Sequence, residues 1–94
     1  MNNTITQEKL DKYFAITKEA LDKAKAAVDG SEQAEDFLDM ASRYFQDATY
    51  FLESKEDAVL AFAALNYAHG WLDAGARLRL FKVKDSRLFT VDDS

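Results

Sequence analysis

The chain has no cysteine, no proline and only three glycines. The absence of cysteine excludes disulfide bonds and thiolate metal sites, and it fits a reducing compartment. The absence of proline and the scarcity of glycine leave few residues that interrupt regular structure. Long helices joined by few turns are therefore expected.

Long apolar runs are also missing. The longest apolar window, residues 58–65, falls far short of the roughly 20 residues that a membrane-spanning helix needs. Residues 1–7 are polar and lack the basic and apolar regions of a secretory signal. We therefore predict a cytoplasmic protein with no membrane partner.

Positive charge is scarce as well. The chain carries 12 basic and 17 acidic residues, a net charge of −5, whereas nucleic-acid binding depends on basic groups that neutralise phosphates. The sequence also lacks a phosphate-binding glycine loop, a nucleophile beside a base and a set of metal ligands. We predict no nucleic-acid partner, no catalytic residue, no metal and no cofactor, and we favour a protein that is not an enzyme.

The first helix is predicted over about residues 7–29. Its apolar stripe recurs at alternating spacings of four and three residues, which is typical of a helix face: Leu10, Phe14, Thr17, Leu21, Ala24 and Val28. Thr6 is a suitable N-cap. Gly30 can adopt the left-handed conformation that often ends a helix.

Two further helices are predicted over about residues 32–53 and 56–80. Ser31 can cap the second helix, which has a single apolar face. Ser54 and Asp57 resemble a capping box with a shortened acid before the third helix. With a length of 94 residues, the chain is predicted to form one helical domain over residues 1–94.

The third helix differs because it is apolar nearly all round. One stripe consists of Ala58, Ala61, Leu65, Ala68, Leu72 and Ala76. A second, on the far side, consists of Leu60, Ala64, Tyr67, Trp71, Ala74 and Leu78. Such a helix must be covered on more than one side.

Short connections make neighbouring helices antiparallel. We therefore predict an all-α, antiparallel up-and-down three-helix bundle, with a short extended C-terminal tail, residues 81–94, laid over the third helix. This topology should bring a basic cluster at the end of the chain (Arg77, Arg79, Lys82, Lys84 and Arg87) to face acids at the start of the second helix (Glu32, Glu35, Asp36 and Asp39).

Two stretches resemble a known family. They are residues 44–53, which include Tyr44-Phe45-Gln46-Asp47-Ala48 and Phe51-Leu52-Glu53, and the run Asn66-Tyr67-Ala68-His69-Gly70-Trp71-Leu72-Asp73-Ala74-Gly75-Ala76-Arg77-Leu78. These residues resemble the archaeal domain-of-unknown-function 357 family. The resemblance implies a short three-helix protein and carries no activity with it.

The second stripe of the third helix supplies the interface candidates: Leu60, Tyr67, Trp71 and Leu78. In one interpretation the tail covers them through Phe81, Val83, Leu88 and Phe89. In the other, a second copy or another protein covers them, because exposed aromatic patches mark interfaces. On this basis we predict a small helical protein-interaction or self-association module.

A polar strip on the third helix supplies the alternative function. Its members recur every three or four residues and so share one face: Asn66, His69, Asp73 and Arg77. They could bind a small ligand or metal, or serve a minor enzyme; the other interpretation is a solvated strip with an Asp73–Arg77 ion pair. Gly70 and Gly75 are predicted to allow close approach, by a ligand or the tail and by another helix respectively.

Overall fold

Residues 3–90, the part of the chain described by a computed structural model, form three helices. They are α1 (Gln7–Lys25), α2 (Glu32–Lys55) and α3 (Ala58–Arg77). Within these residues there is no strand, and the only β pairing is an isolated antiparallel bridge between Val28 and Phe81. The predicted all-α fold of three packed helices is confirmed. Residues 91–94 of the predicted tail, with residues 1 and 2, lie outside the described residues.

Each helix begins at a side-chain cap. The Thr6 hydroxyl accepts a hydrogen bond from the Lys9 amide at 3.1 Å, and Ser31 accepts one from Ala34 at 3.1 Å. These caps satisfy amides that the first helical turn leaves without a partner. The third helix is capped by Asp57 itself and therefore begins at Ala58, two residues later than predicted.

The end of α1 is set by contact with the tail. The helix stops at Lys25, four residues before the predicted end. The Lys82 amide donates to the Ala27 carbonyl at 2.9 Å, and the Asp29 amide donates to the Leu80 carbonyl at 3.1 Å. Because these backbone groups bond to the tail, residues 27–29 cannot continue the helical ladder.

The end of α3 turns the chain back onto the bundle. The Leu80 amide donates to the Gly75 carbonyl at 2.9 Å and the Arg79 amide to the Ala76 carbonyl at 3.0 Å. This is a Schellman motif, with Arg79 in the left-handed conformation at φ 62°. It ends the helix before residue 80 and directs the Phe81 ring onto Gly75.

The larger part of the core lies between the three helices and the tail. Its buried members are Ala20, Leu21 and Ala24 from α1, Ala34, Leu38 and Ala41 from α2, Leu72 and Ala76 from α3, and Phe81, Leu88 and Phe89 from the tail. A smaller cluster around Leu10, Ala48, Ala64 and Leu65 fills the other end. The tail is therefore part of the core, and it enters on the side where α1 meets α3.

Candidate functional site

His69 joins three parts of the molecule through its two ring nitrogens. Its Nε2 lies 2.5 Å from the Leu88 carbonyl oxygen, and its Nδ1 lies 3.1 Å from the Thr17 hydroxyl oxygen. A carbonyl can only accept, so Nε2 carries the proton and donates. In the neutral ring Nδ1 then accepts from the Thr17 hydroxyl. The imidazole therefore ties α1, α3 and the tail together.

Asp73 and Arg77 hold the next residues of the tail. The Thr90 amide donates to Asp73 Oδ1 at 2.9 Å, and Arg77 Nη1 donates to the Thr90 carbonyl at 3.2 Å. We call His69, Asp73 and Arg77, with Thr17, the tail clamp. The ion pairs of residues 3–90 do not include the suggested one between Asp73 and Arg77.

Two ion pairs flank the tail clamp on the α1 side. Arg87 Nη2 lies 2.5 Å from Glu19 Oε2, and Lys23 Nζ lies 3.1 Å from Asp85 Oδ2. The hydrogen bond from Arg87 lowers the pKa of Glu19 and, reciprocally, raises the pKa of Arg87. The hydrogen bond from Lys23 lowers the pKa of Asp85.

These contacts correct the predicted pairing of the basic cluster. Its expected partners were the acids in the first turns of α2, but the ion pairs in the described part of the chain join none of its members to them. Because the tail pairs with residues 27–29, it is carried towards α1. Arg87 consequently reaches Glu19, and Arg77 reaches Thr90.

An open groove runs beside the tail clamp, with a volume of about 650 Å³. All four residues of the polar strip line it, namely Asn66, His69, Asp73 and Arg77, together with Lys12 and Arg87 from the neighbouring elements. Gly70 also lines the groove, and a Cβ there would meet nothing within 4 Å. Within residues 3–90, His, Asp and Glu side chains nowhere gather in the groups of three or more that could hold a metal ion.

Gly75 has a clear role in packing. A Cβ at this position would lie 2.2 Å from Cε2 of Phe81. The predicted close approach therefore occurs, but the approaching group is an aromatic side chain of the tail and not the backbone of another helix. The bare Cα of Gly75 is what allows the Phe81 ring to be buried.

The interface candidates lie on the side of α3 away from the tail clamp. Of the two interpretations, cover by the tail does not apply to most of them, because the described tail bonds to His69 and Asp73. Trp71 is half-buried, with its ring 5.0 Å from that of Phe37 on α2. Tyr67 packs its ring edge-on against Tyr44 at 4.3 Å but remains 51% exposed. Leu60 and Leu78 are 46% and 63% exposed. Helix α2 thus shields Trp71 and leaves the other three candidates exposed.

Two features of the site were not singled out from the sequence. Thr17 was assigned to the apolar stripe of the first helix, although a hydroxyl within such a stripe signals a buried hydrogen-bond partner. Ala63 is exposed beside Leu60 and Tyr67 on α3, and it belonged to neither predicted stripe of that helix. Its spacing of three residues from Leu60 and four from Tyr67 was the available signal.

Two further observations bear on function. No helix in residues 3–90 combines the length and the apolar character that crossing a bilayer demands. No curated protein and no solved structure matches the chain.

The model of one family does match, over residues 12–81, and its description is "Protein of unknown function (DUF357)". The match takes in most of α1, all of α2 and α3, and the turn that leads to Phe81. It covers well over half of the chain, and the chain therefore belongs to the DUF357 family.

Proposed function

We propose that this protein is a non-enzymatic self-association module, in which the outer face of α3 binds a second copy of the chain. The observation that carries the proposal is the exposure of Leu60, Tyr67 and Leu78 along one helix. Large apolar side chains that share one exposed face are typical of interaction surfaces, whereas isolated ones are common everywhere.

Tyr67 has the properties of an interface anchor. Its ring is held on one side by Tyr44, so little side-chain freedom remains to be lost on binding, while the other side is open to solvent. Tyrosine is among the residues that contribute most to binding energy at interfaces. An aromatic ring that is fixed and half exposed supports a role in association.

The size of the face sets the expected strength. From Leu60 to Leu78 the helix is about 27 Å long at 1.5 Å per residue. A contact between two such helices lies at the small end of specific interfaces, where complexes are weak or transient. We therefore expect an equilibrium between monomer and dimer that depends on protein concentration.

The test is the molar mass from light scattering over a range of concentrations. Wild type should move from monomer to dimer as concentration rises. Ala63→Glu, which places a carboxylate on the exposed face, should remain monomeric. Gln46→Glu on the exposed surface of α2 adds the same charge elsewhere and should behave like wild type.

Two results would contradict the proposal. One is a wild-type mass that stays monomeric at every concentration, and the other is an Ala63→Glu variant that still forms the dimer. The helix content and melting temperature of each variant at low concentration would show that the fold is intact. Binding of a different protein to the same face would replace the second copy as occupant.

A second candidate function, small-ligand binding, is favoured by the groove beside the tail clamp. His69, Asp73 and Arg77 already bond to the tail, but Lys12 and Asn66 line the groove and are exposed. With Arg77 and Arg87 nearby, the groove suits a small anion.

A ligand that binds only the folded state must raise the melting temperature. Inorganic phosphate and citrate are suitable probes. A rise in melting temperature that occurs in wild type and in Gln46→Glu, but not in Asn66→Glu, would support small-ligand binding. The absence of any rise with either probe would count against it.

A further inference from the structure

The outer face of α3 has the spacing of a coiled-coil seam. Its members alternate at three and four residues: Leu60, Ala63, Tyr67, Gly70 and Ala74. Each of them is exposed in the described chain. This is the a/d pattern through which two helices pack side by side, sustained here for about two heptads.

Gly70 is the least expected member of this seam. Glycine is less favourable than alanine in the middle of a helix, and nothing within the described chain requires it, since a Cβ there would meet no atom within 4 Å. Gly75, by contrast, is required by the Phe81 ring. The open space above Gly70 is thus a recess on the exposed surface, one helical turn from the projecting ring of Tyr67.

The sizes of the side chains along the seam favour antiparallel over parallel pairing of two identical helices. In an antiparallel pair, Tyr67 lies opposite the partner's Gly70, and Ala63 lies opposite the partner's Ala74. Each of these two layers then combines side chains that fit, with the large ring over the recess. In a parallel pair the two Tyr67 rings would meet in one layer, and the two Gly70 residues would leave a gap in the next.

The charges at the two ends of α3 also favour antiparallel over parallel pairing. Glu56 and Asp57 precede α3, and Arg77, whose Nη1 donates to the Thr90 carbonyl, ends it. Antiparallel pairing brings Arg77 of one copy next to Glu56 and Asp57 of the other. It also aligns the helix dipoles favourably. Parallel pairing would set Arg77 against the partner's Arg77.

We infer that two copies associate through α3 as an antiparallel helix pair, in which Tyr67 of each copy packs over Gly70 of the other. The symmetry is two-fold, so each contact occurs twice. This inference rests on the proposed function and adds to it the orientation and register of the partner.

The absence of cysteine allows a direct test by single-cysteine cross-linking. Ala63→Cys and Ala74→Cys place thiols at exposed positions of the seam. In an antiparallel pair, residue 63 lies opposite residue 74, while the two copies of residue 63 are about 16 Å apart along the axis. A disulfide requires Cα atoms within about 7 Å.

The two variants are mixed in equal amounts, oxidised mildly and analysed by mass spectrometry. We expect the disulfide between Cys at 63 and Cys at 74 to exceed either homodimeric disulfide at least tenfold. Gln46→Cys, exposed on α2, reports the level of random collision. Light scattering of each variant under reducing conditions shows whether the dimer itself is present.

The outcomes separate the inference from the proposed function. A dimer that yields mainly 63–63 and 74–74 disulfides would overturn the antiparallel register and leave self-association standing. A dimer with no cross-link above the Gln46→Cys level would show that copies meet on another surface, which overturns both. A chain that is monomeric at every concentration also overturns both.

Discussion

At the scale of single residues, His69 carries the connection between the tail and the bundle. Both of its ring nitrogens have partners, Thr17 on one side and the Leu88 carbonyl on the other. Thr17 is 1% exposed, so its hydroxyl has little access to water. The Thr17 hydroxyl and His69 Nδ1 therefore depend on each other for a hydrogen-bond partner.

Replacing Thr17 by valine tests this dependence. The variant keeps the shape of the side chain but removes the donor to His69 Nδ1. We expect a loss of about 1–2 kcal/mol in the free energy of unfolding, because the part-buried Nδ1 of His69 loses its partner. Urea unfolding measures it, with Thr17→Ser as the control that retains the hydroxyl. If Thr17→Val is as stable as wild type and Thr17→Ser, the hydrogen bond between Thr17 and His69 contributes nothing to stability.

The two glycines of α3 give a matched pair of predictions. Gly75→Ala should destabilise the fold by about 1–3 kcal/mol, the usual range for overpacking, because the new methyl group collides with Phe81. Gly70→Ala should stabilise dilute, monomeric protein by up to about 1 kcal/mol, since the methyl group meets nothing and alanine favours the helix. Thermal and urea unfolding measure the stability of both variants. Equal changes in stability would contradict the different roles assigned to Gly70 and Gly75.

At the scale of elements, the tail is expected to stabilise the fold because its apolar side chains are part of the core. Phe89 is 2% exposed and packs in the larger core cluster, so Phe89→Ala should cost about 3–5 kcal/mol. Leu78, also apolar and near the end of α3, is exposed. Leu78→Ala should change the unfolding free energy of the monomer by less than about 0.5 kcal/mol. Comparable losses in the two variants would show that the tail is not part of the core.

The helices could be predicted from the sequence because their information is local. Caps at Thr6 and Ser31 and the apolar spacing of each helix are properties of adjacent residues. The ends were less predictable. The end of α1 depends on backbone bonds to residues 80 and 82, which lie more than fifty positions away. No local pattern encodes that contact.

At the scale of the whole molecule, the acid sensitivity of the fold should reflect the pairs beside the tail clamp. Glu19 and Asp85 have lowered pKa values in the folded chain because Arg87 and Lys23 donate hydrogen bonds to them. The unfolded chain therefore takes up protons first as pH falls. The stability that these pairs contribute is complete above the ordinary carboxyl pKa of about 4 and is lost as pH falls through the lower folded values.

Urea unfolding between pH 7 and pH 3 measures this dependence. We expect little change down to about pH 5 and a decline below about pH 4. Glu19→Gln removes one titrating partner, so its decline should be shallower than that of wild type. Superimposable curves for the two proteins would show that the Glu19–Arg87 pair makes no contribution.

The route of the tail marks the limit of what the sequence could predict. Helix α3 was predicted to need cover on more than one side, but Leu60, Tyr67 and Leu78 stay exposed in the described chain. Which side the tail would take depends on the groove between α1 and α3, which exists only once the helices have packed. The Schellman turn at Arg79 and the recess at Gly75 then direct Phe81 into that groove. The tail consequently leaves Leu60, Tyr67 and Leu78 of the second stripe exposed.

We infer that the two faces of α3, which meet at Gly70 and Arg77, have different roles, one clamping the tail and the other receiving a second copy. An NMR dilution series of the wild-type protein tests this most directly. The amide shifts of Ala63, Tyr67, Gly70 and Ala74 should change with concentration, while those of Thr17 and Leu88 stay constant. This division of roles would be contradicted if the seam amide shifts did not change at any concentration, or if only tail amide shifts changed.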